Sequence, residues 1–152
     1  MVRRYLGHAM AVVLLLTAGW GVAARAQGRV NDKDLARMLE NVNHDAQPFR
    51  KSFDSAMKKS TIRGTSQEKD ARGLAATFED QSKHALVTFR KHKKAEDEVA
   101  AMVDTAGQID KLLNSVSLSP VVTQQWEKVR TELHEVAGAV NVPDSYSPRD
   151  GQ

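Results

Sequence analysis

The side chains best suited to hold a metal ion or a haem are the histidines, because a neutral imidazole nitrogen is a ready ligand. His44, His84, His92 and His134 lie beyond the first 26 residues of the chain. Helical di-metal centres need a Glu-x-x-His step on each of two helices, and no such step occurs in the sequence. Glu40 with His44, and Asp80 with His84, are four apart and can share a helix face. A chain with 27% charged residues produces such pairs by composition alone. No specific metal site is expected. A haem held by Met38 and His134 is the more instructive case. Met38 falls in the first turns of a first helix and His134 near the end of a fourth, ends that are neighbours in an up-down-up-down bundle, as in soluble b-type cytochromes. Both sit beside stripe residues, Leu39 and Leu133, at positions where methionine commonly fills core gaps and histidine is solvated. With no cysteine there is no Cys-x-x-Cys-His for covalent attachment. The expected cofactor is none, with Met38 and His134 as the pair for the alternative.

Covalent and acid–base chemistry have less support. Ser119 is explained by helix capping and Ser82 by its place on a helix face. The sequence holds no Gly-x-Ser-x-Gly elbow and no Gly-rich phosphate loop. The carboxylates are spread evenly, so no pair stands out as acid and base. No catalytic residue is expected. Trp126 reads either as a stacking platform or as the largest core side chain. Its register favours the core, with the indole N–H reaching a carbonyl or water at the bundle edge.

The elements that would position these groups are four amphipathic stretches. Asn31 is an N-cap for the first, with Asp32 and Asp34 in its opening turn. Leu35, Leu39, Val42, Ala46, Phe49, Phe53 and Ala56 then recur at steps of four and three as far as Lys59. Pro48 lies inside this run and predicts a kink or restart, because its ring clashes with the carbonyl of His44. Ser60 to Gly64 read as a turn, and Thr65 with Glu68 as a capping box. The second helix, from Ser66 to Lys91, carries Ala71, Ala75, Phe78, Ser82, Ala85 and Phe89, with Leu74 and Leu86 beside them. Its stripe is the weakest, since Ser82 sets a hydroxyl at the centre. Arg90 to Lys94 followed by Glu96, Asp97 and Glu98 reads either as a basic patch or as charges matched to two helix ends. The macrodipoles favour the second reading. The third helix, from Ala95 to Val116, carries Val99, Met102, Ala106, Ile109, Leu113 and Val116. Ser119 and Pro120 then cap and open a fourth, with Val122, Trp126, Val129, Leu133, Val136 and Val140. Four long helices joined by short connections must run antiparallel and bury their stripes against one another.

The first 26 residues have a different character. Arg3 and Arg4 precede an apolar run from Ala9 to Ala18, and Ala24-Arg25-Ala26 follows. That order is a secretory signal peptide with cleavage expected between Ala26 and Gln27; an uncleaved anchor is the competing reading. Arg3-Arg4-Tyr5-Leu6 is a poor match to a twin-arginine signal. All 19 acidic residues lie beyond the leader, which takes Arg3, Arg4 and Arg25 of the 22 Lys and Arg with it, leaving 19 of each sign. The mature chain is then formally neutral, which removes the field a nucleic-acid binder needs. Without cysteine there is no disulfide and no lipid-bearing cysteine, so packing alone must hold the domain together.

Several segments resemble an uncharacterised family of small, exported, all-helical bacterial proteins. They are Phe49-Arg50-Lys51-Ser52-Phe53-Asp54-Ser55-Ala56, Ile62-Arg63-Gly64-Thr65 with Glu68, Ala76-Thr77-Phe78-Glu79 and Ile109-Asp110-Lys111-Leu112-Leu113. The last is Trp126-Glu127-Lys128-Val129-Arg130-Thr131-Glu132-Leu133, closing on Asn141-Val142. The family has an aromatic residue before that Asn-Val pair, where this chain has Val140. The resemblance implies a periplasmic or secreted helical domain and no activity.

Together these readings predict an all-α, antiparallel up-down-up-down four-helix bundle over residues 27–142, with its first helix kinked near Pro48. A signal peptide over 1–26 precedes it, and a disordered tail over 143–152 follows. The expected function is non-enzymatic: an accessory or chaperone-like protein of the cell envelope that acts on an envelope protein through protein contacts. It would bind no nucleic acid and span no membrane once the leader is cleaved. The alternative is a carrier of a small ligand or cofactor, such as a b-type haem bundle.

Overall fold

In the computed structural model the described residues are 30–146; the leader and its cleavage point between Ala26 and Gln27 lie outside them. Four helices follow in order, α1 (Asp32–Met57), α2 (Ser66–His92), α3 (Glu96–Ser115) and α4 (Pro120–Ala139), and the described residues contain no strand.

α1 and α2 begin on side-chain caps that answer their orphan amides. The Asn31 carboxamide accepts from the Asp34 amide at 2.9 Å. The Thr65 hydroxyl accepts from the Glu68 amide at 3.3 Å, while the Glu68 carboxylate accepts from the Gly64 amide at 2.7 Å, one residue earlier than in the standard reciprocal box. Ser119 departs from expectation. Its side chain makes no capping bond, and the start of α4 rests on Pro120 in the first turn and on the Ser119 carbonyl, which accepts from Val122 and Thr123. The α2–α3 junction carries Arg90, Lys91 and His92 in the last turn of one helix and Glu96, Asp97 and Glu98 in the first turn of the next, as the dipoles favour. α1 continues through Pro48, which is exposed.

The stripes meet in one core. Leu39, Val42, Phe49, Phe53, Phe78, Val99, Met102, Ile109, Val129 and Leu133 are all fully buried, each contributing about 1.5–3 kcal/mol by leaving water. Three register details differ from the expected stripes. Met57 rather than Ala56 ends the buried face of α1, because a 3.6-residue turn drifts ahead of a strict seven-residue repeat. Leu113 and Val140, near helix ends, are only partly buried. On α4 the buried face widens to include Ala137 and the charged Arg130. The helices pack as a ring, α1 on α2, α2 on α3, α3 on α4 and α4 on α1, with the α3–α4 seam the thinnest. Ser82, at the centre of the α2 stripe, is fully buried, and its hydroxyl donates to the Glu79 carbonyl at 2.7 Å. That bond answers the one polar group in the stripe.

α4 ends in a Schellman turn. Asn141 takes a left-handed conformation (φ 58°), the Val142 amide donates to the Ala137 carbonyl at 2.9 Å and the Asn141 amide to Gly138 at 3.4 Å. The chain is thereby reversed. Residues 143–146, expected to belong to a disordered tail over 143–152, fold back along α4 as a strap whose Asp144 side chain is only 3% exposed.

Candidate functional site

The densest polar cluster among the described residues lies where this strap crosses the α3–α4 seam. Its hub is Arg130, whose side chain is 3% exposed. Placing a guanidinium in that wall requires partners for its charge and its donors. Its Nε donates to Asp110 of α3 at 3.1 Å. Its two terminal nitrogens donate to the two carboxylate oxygens of Asp144, at 3.2 and 3.1 Å, a bidentate fork. The Tyr146 ring covers the guanidinium at 4.3 Å, and the Tyr146 hydroxyl donates to Glu127 at 2.5 Å. The other Asp110 oxygen accepts the Trp126 indole N–H at 2.6 Å. Trp126 is therefore a core residue whose polar edge is answered, as its register required, but by a carboxylate of the next helix rather than by a carbonyl or water.

The electrostatics follow from these contacts. Burial works to raise the Asp144 carboxyl. The Arg130 fork and the Tyr146 amide outweigh it and hold Asp144 below the usual carboxylate range. Burial and the Glu127 carboxylate push the Tyr146 phenol up. The arrangement sets a planar cation against two carboxylates and a phenol ring. Its chemistry is recognition of carboxylate and ring by a planar cation, performed within the chain.

His134 is drawn to the strap: its Nδ1 lies 3.4 Å from an Asp144 oxygen, out of line for a hydrogen bond, and its ring meets Tyr146 edge-on at 6.0 Å. Met38 packs against the core from α1. The centre of the ring of helices is filled by side chains, with Trp126 4.7 Å from Phe49 and 5.4 Å from Phe78. His44 is exposed beside Asp45 at 3.0 Å, His84 lies 3.9 Å from Glu98 across the α2–α3 seam, and His92 is exposed at the end of α2. The described residues hold no group of three metal-capable side chains.

A second cluster joins α1 to α4. Lys128 Nζ lies 2.6 Å from Asp45 and 3.9 Å from Glu132. Further pairs tie α1 to α2: Arg50 with Glu79 at 2.7 Å, Arg72 with Asp54 at 3.4 Å, and Arg90 with Glu40. Neither Arg130 nor Glu132 was among the sequence candidates. In one dimension both are ordinary charges in a charge-rich stretch of an amphipathic helix; the only usable sign was Arg130 next to stripe residue Val129, four beyond Trp126.

Comparison of the chain with protein-family models, curated proteins and solved structures found no match. Among the described residues no helix is long and apolar enough to cross a membrane.

Proposed function

We propose that this chain is an exported, non-enzymatic helical protein of the cell envelope, acting on an envelope protein through its outer faces in an accessory or chaperone-like role. In this reading the helices form an antiparallel up-down-up-down bundle, with α1 bent near Pro48, and the first 26 residues are a leader removed after Ala26. The resemblance to small exported helical proteins belongs to the same proposal.

The observation that carries it is the filled centre. Phe49, Phe53, Phe78 and Trp126 occupy the space between the helices, and the cations of the seams are turned onto neighbouring helices. What such a molecule offers to others is its surface, held rigid by a packed interior. A bundle that carries a planar cofactor needs its interior residues arranged around a slot.

The test is affinity capture of the tagged protein from the envelope of its native host. A protein partner recovered in stoichiometric amount, in repeated captures, is the expected result. Capture of no protein, with a Soret band or a bound small molecule in the native preparation, overturns it.

A further inference from the structure

The α1–α4 seam holds two carboxyl groups against a single ammonium. Asp45 of α1 and Glu132 of α4 are 12% and 18% exposed, and Lys128 reaches both, closely at Asp45 and at 3.9 Å from Glu132. The Glu132 Oε2 atom is shut off from solvent and meets no hydrogen-bond donor among the described residues. A buried acceptor of this kind costs free energy unless something supplies a proton. The other titratable groups facing the pair are His44, 3.0 Å from the far Asp45 oxygen, and Glu135 on α4; Glu127 and Tyr146 line the same groove.

We propose that Glu132, Asp45 and Lys128 form a proton-operated latch between α1 and α4, tight when Glu132 carries a proton that it shares with Asp45 and loosened when both carboxyls are ionised. The inference rests on the fold alone and stands whether or not the protein acts through protein contacts.

Three effects act together on Glu132. Burial comes first, then the hydrogen bond to Asp45 and the Asp45 charge; together they push it up to about 7, with Lys128 opposing. Asp45 moves the other way. Burial works to raise it, but Lys128, His44 and the Glu132 proton together hold it below the usual range. The proton therefore resides on Glu132. A carboxyl raised on folding stabilises the closed state fully at low pH, and that contribution is lost as pH rises through the folded-state value. The latch thus loosens on going from mildly acidic to mildly alkaline conditions, while the α2–α3 seam lacks the carboxyl pair and has only the His84–Glu98 contact to remove before it serves as the reference.

Histidine as a residue type titrates in the same interval, so the test uses the full chain carrying His44→Gln and His84→Gln, which removes the imidazoles beside Asp45 and across the α2–α3 seam, with and without Glu132→Gln. Amide hydrogen exchange is measured near pH 5.5 and 8.5 and corrected for intrinsic rates. In the parent, protection around Asp45 and Glu132 is expected to fall roughly ten-fold relative to α2–α3 amides, since each unit of pKa is a factor of about ten. In the Glu132→Gln form, which keeps the hydrogen bond without the charge, it stays level. An unchanged parent, or an equal fall in both proteins, overturns the latch. If Glu132→Gln fails to fold, carboxyl-carbon NMR of the parent decides: a Glu132 midpoint above about pH 5.5 supports the proposal, and one at or below it sinks it.

Discussion

A guanidinium enclosed in a helix wall is tolerated only while its charge and its donors are answered. Arg130 meets that condition through Asp110, Asp144 and the Tyr146 ring. Arg130→Met removes the cation and leaves the Asp110 and Asp144 carboxylates without the partner they share. The expected loss is about 3–5 kcal/mol in urea unfolding, and Arg130→Met with Asp144→Leu should recover part of it. The same pair sets an acid limb. Asp144 is held below its unfolded value, so its contribution is present above that value and lost as pH falls through the folded one. Stability measured below about pH 4 should therefore decline more steeply in the parent than in Asp144→Asn. An equal decline in both proteins would show that the fork is not coupled to folding.

At the scale of elements, the two helix starts make opposite predictions although both carry a hydroxyl residue. Thr65 accepts from the Glu68 amide, so Thr65→Ala should cost about 1 kcal/mol. The Ser119 side chain makes no cap bond, so Ser119→Ala should change stability by only a few tenths of a kcal/mol. Thermal melts of the two variants side by side check the contrast. Asn141 is the hinge that turns the strap back, in the left-handed region at φ 58°. Asn141→Gly should be neutral or stabilising, and Asn141→Val should lose about 1–2 kcal/mol. If the strap depends on that turn, the valine variant will also move the Tyr146 ring NMR signals toward solvent-exposed values as the ring leaves Arg130. α2 was readable as the weakest stripe because Ser82 interrupts it, and the buried hydroxyl confirms why the interruption is tolerated: its proton goes to the Glu79 carbonyl.

For the molecule as a whole, the aromatic centre predicts a single cooperative unfolding step, because one contiguous core links all four helices. Phe49 touches both Phe53 and Trp126, and Phe49→Ala should cost about 3–5 kcal/mol by transfer and cavity together, seen as a lower urea midpoint at constant slope. Unfolding in two separated steps would mean that the helices do not share one core. Stability should also fall in the parent as pH rises from mildly acidic to about 7, level off above it, and show no such fall in Glu132→Gln, the sign that a carboxyl raised on folding imposes.

The number, order and near bounds of the helices, and nearly all the buried residues from Leu35 to Val136, were legible in the sequence. They follow from local terms: capping chemistry at Asn31 and Thr65, proline at the start of α4, and a period near 3.6 that forces one face of each helix out of water. Helix pairing decided the rest. Arg130 and Glu132 look like ordinary surface charges along the chain, and residues 143–146 look like a tail. Whether such a group is solvated, forked or starved of a proton depends on what another helix places within about 4 Å of it, and separations of 14 to 20 residues between Asp110, Arg130 and Asp144 carry no periodic signal. Hydrophobic burial is set by local pattern; the state of a charge is set by its neighbours in space.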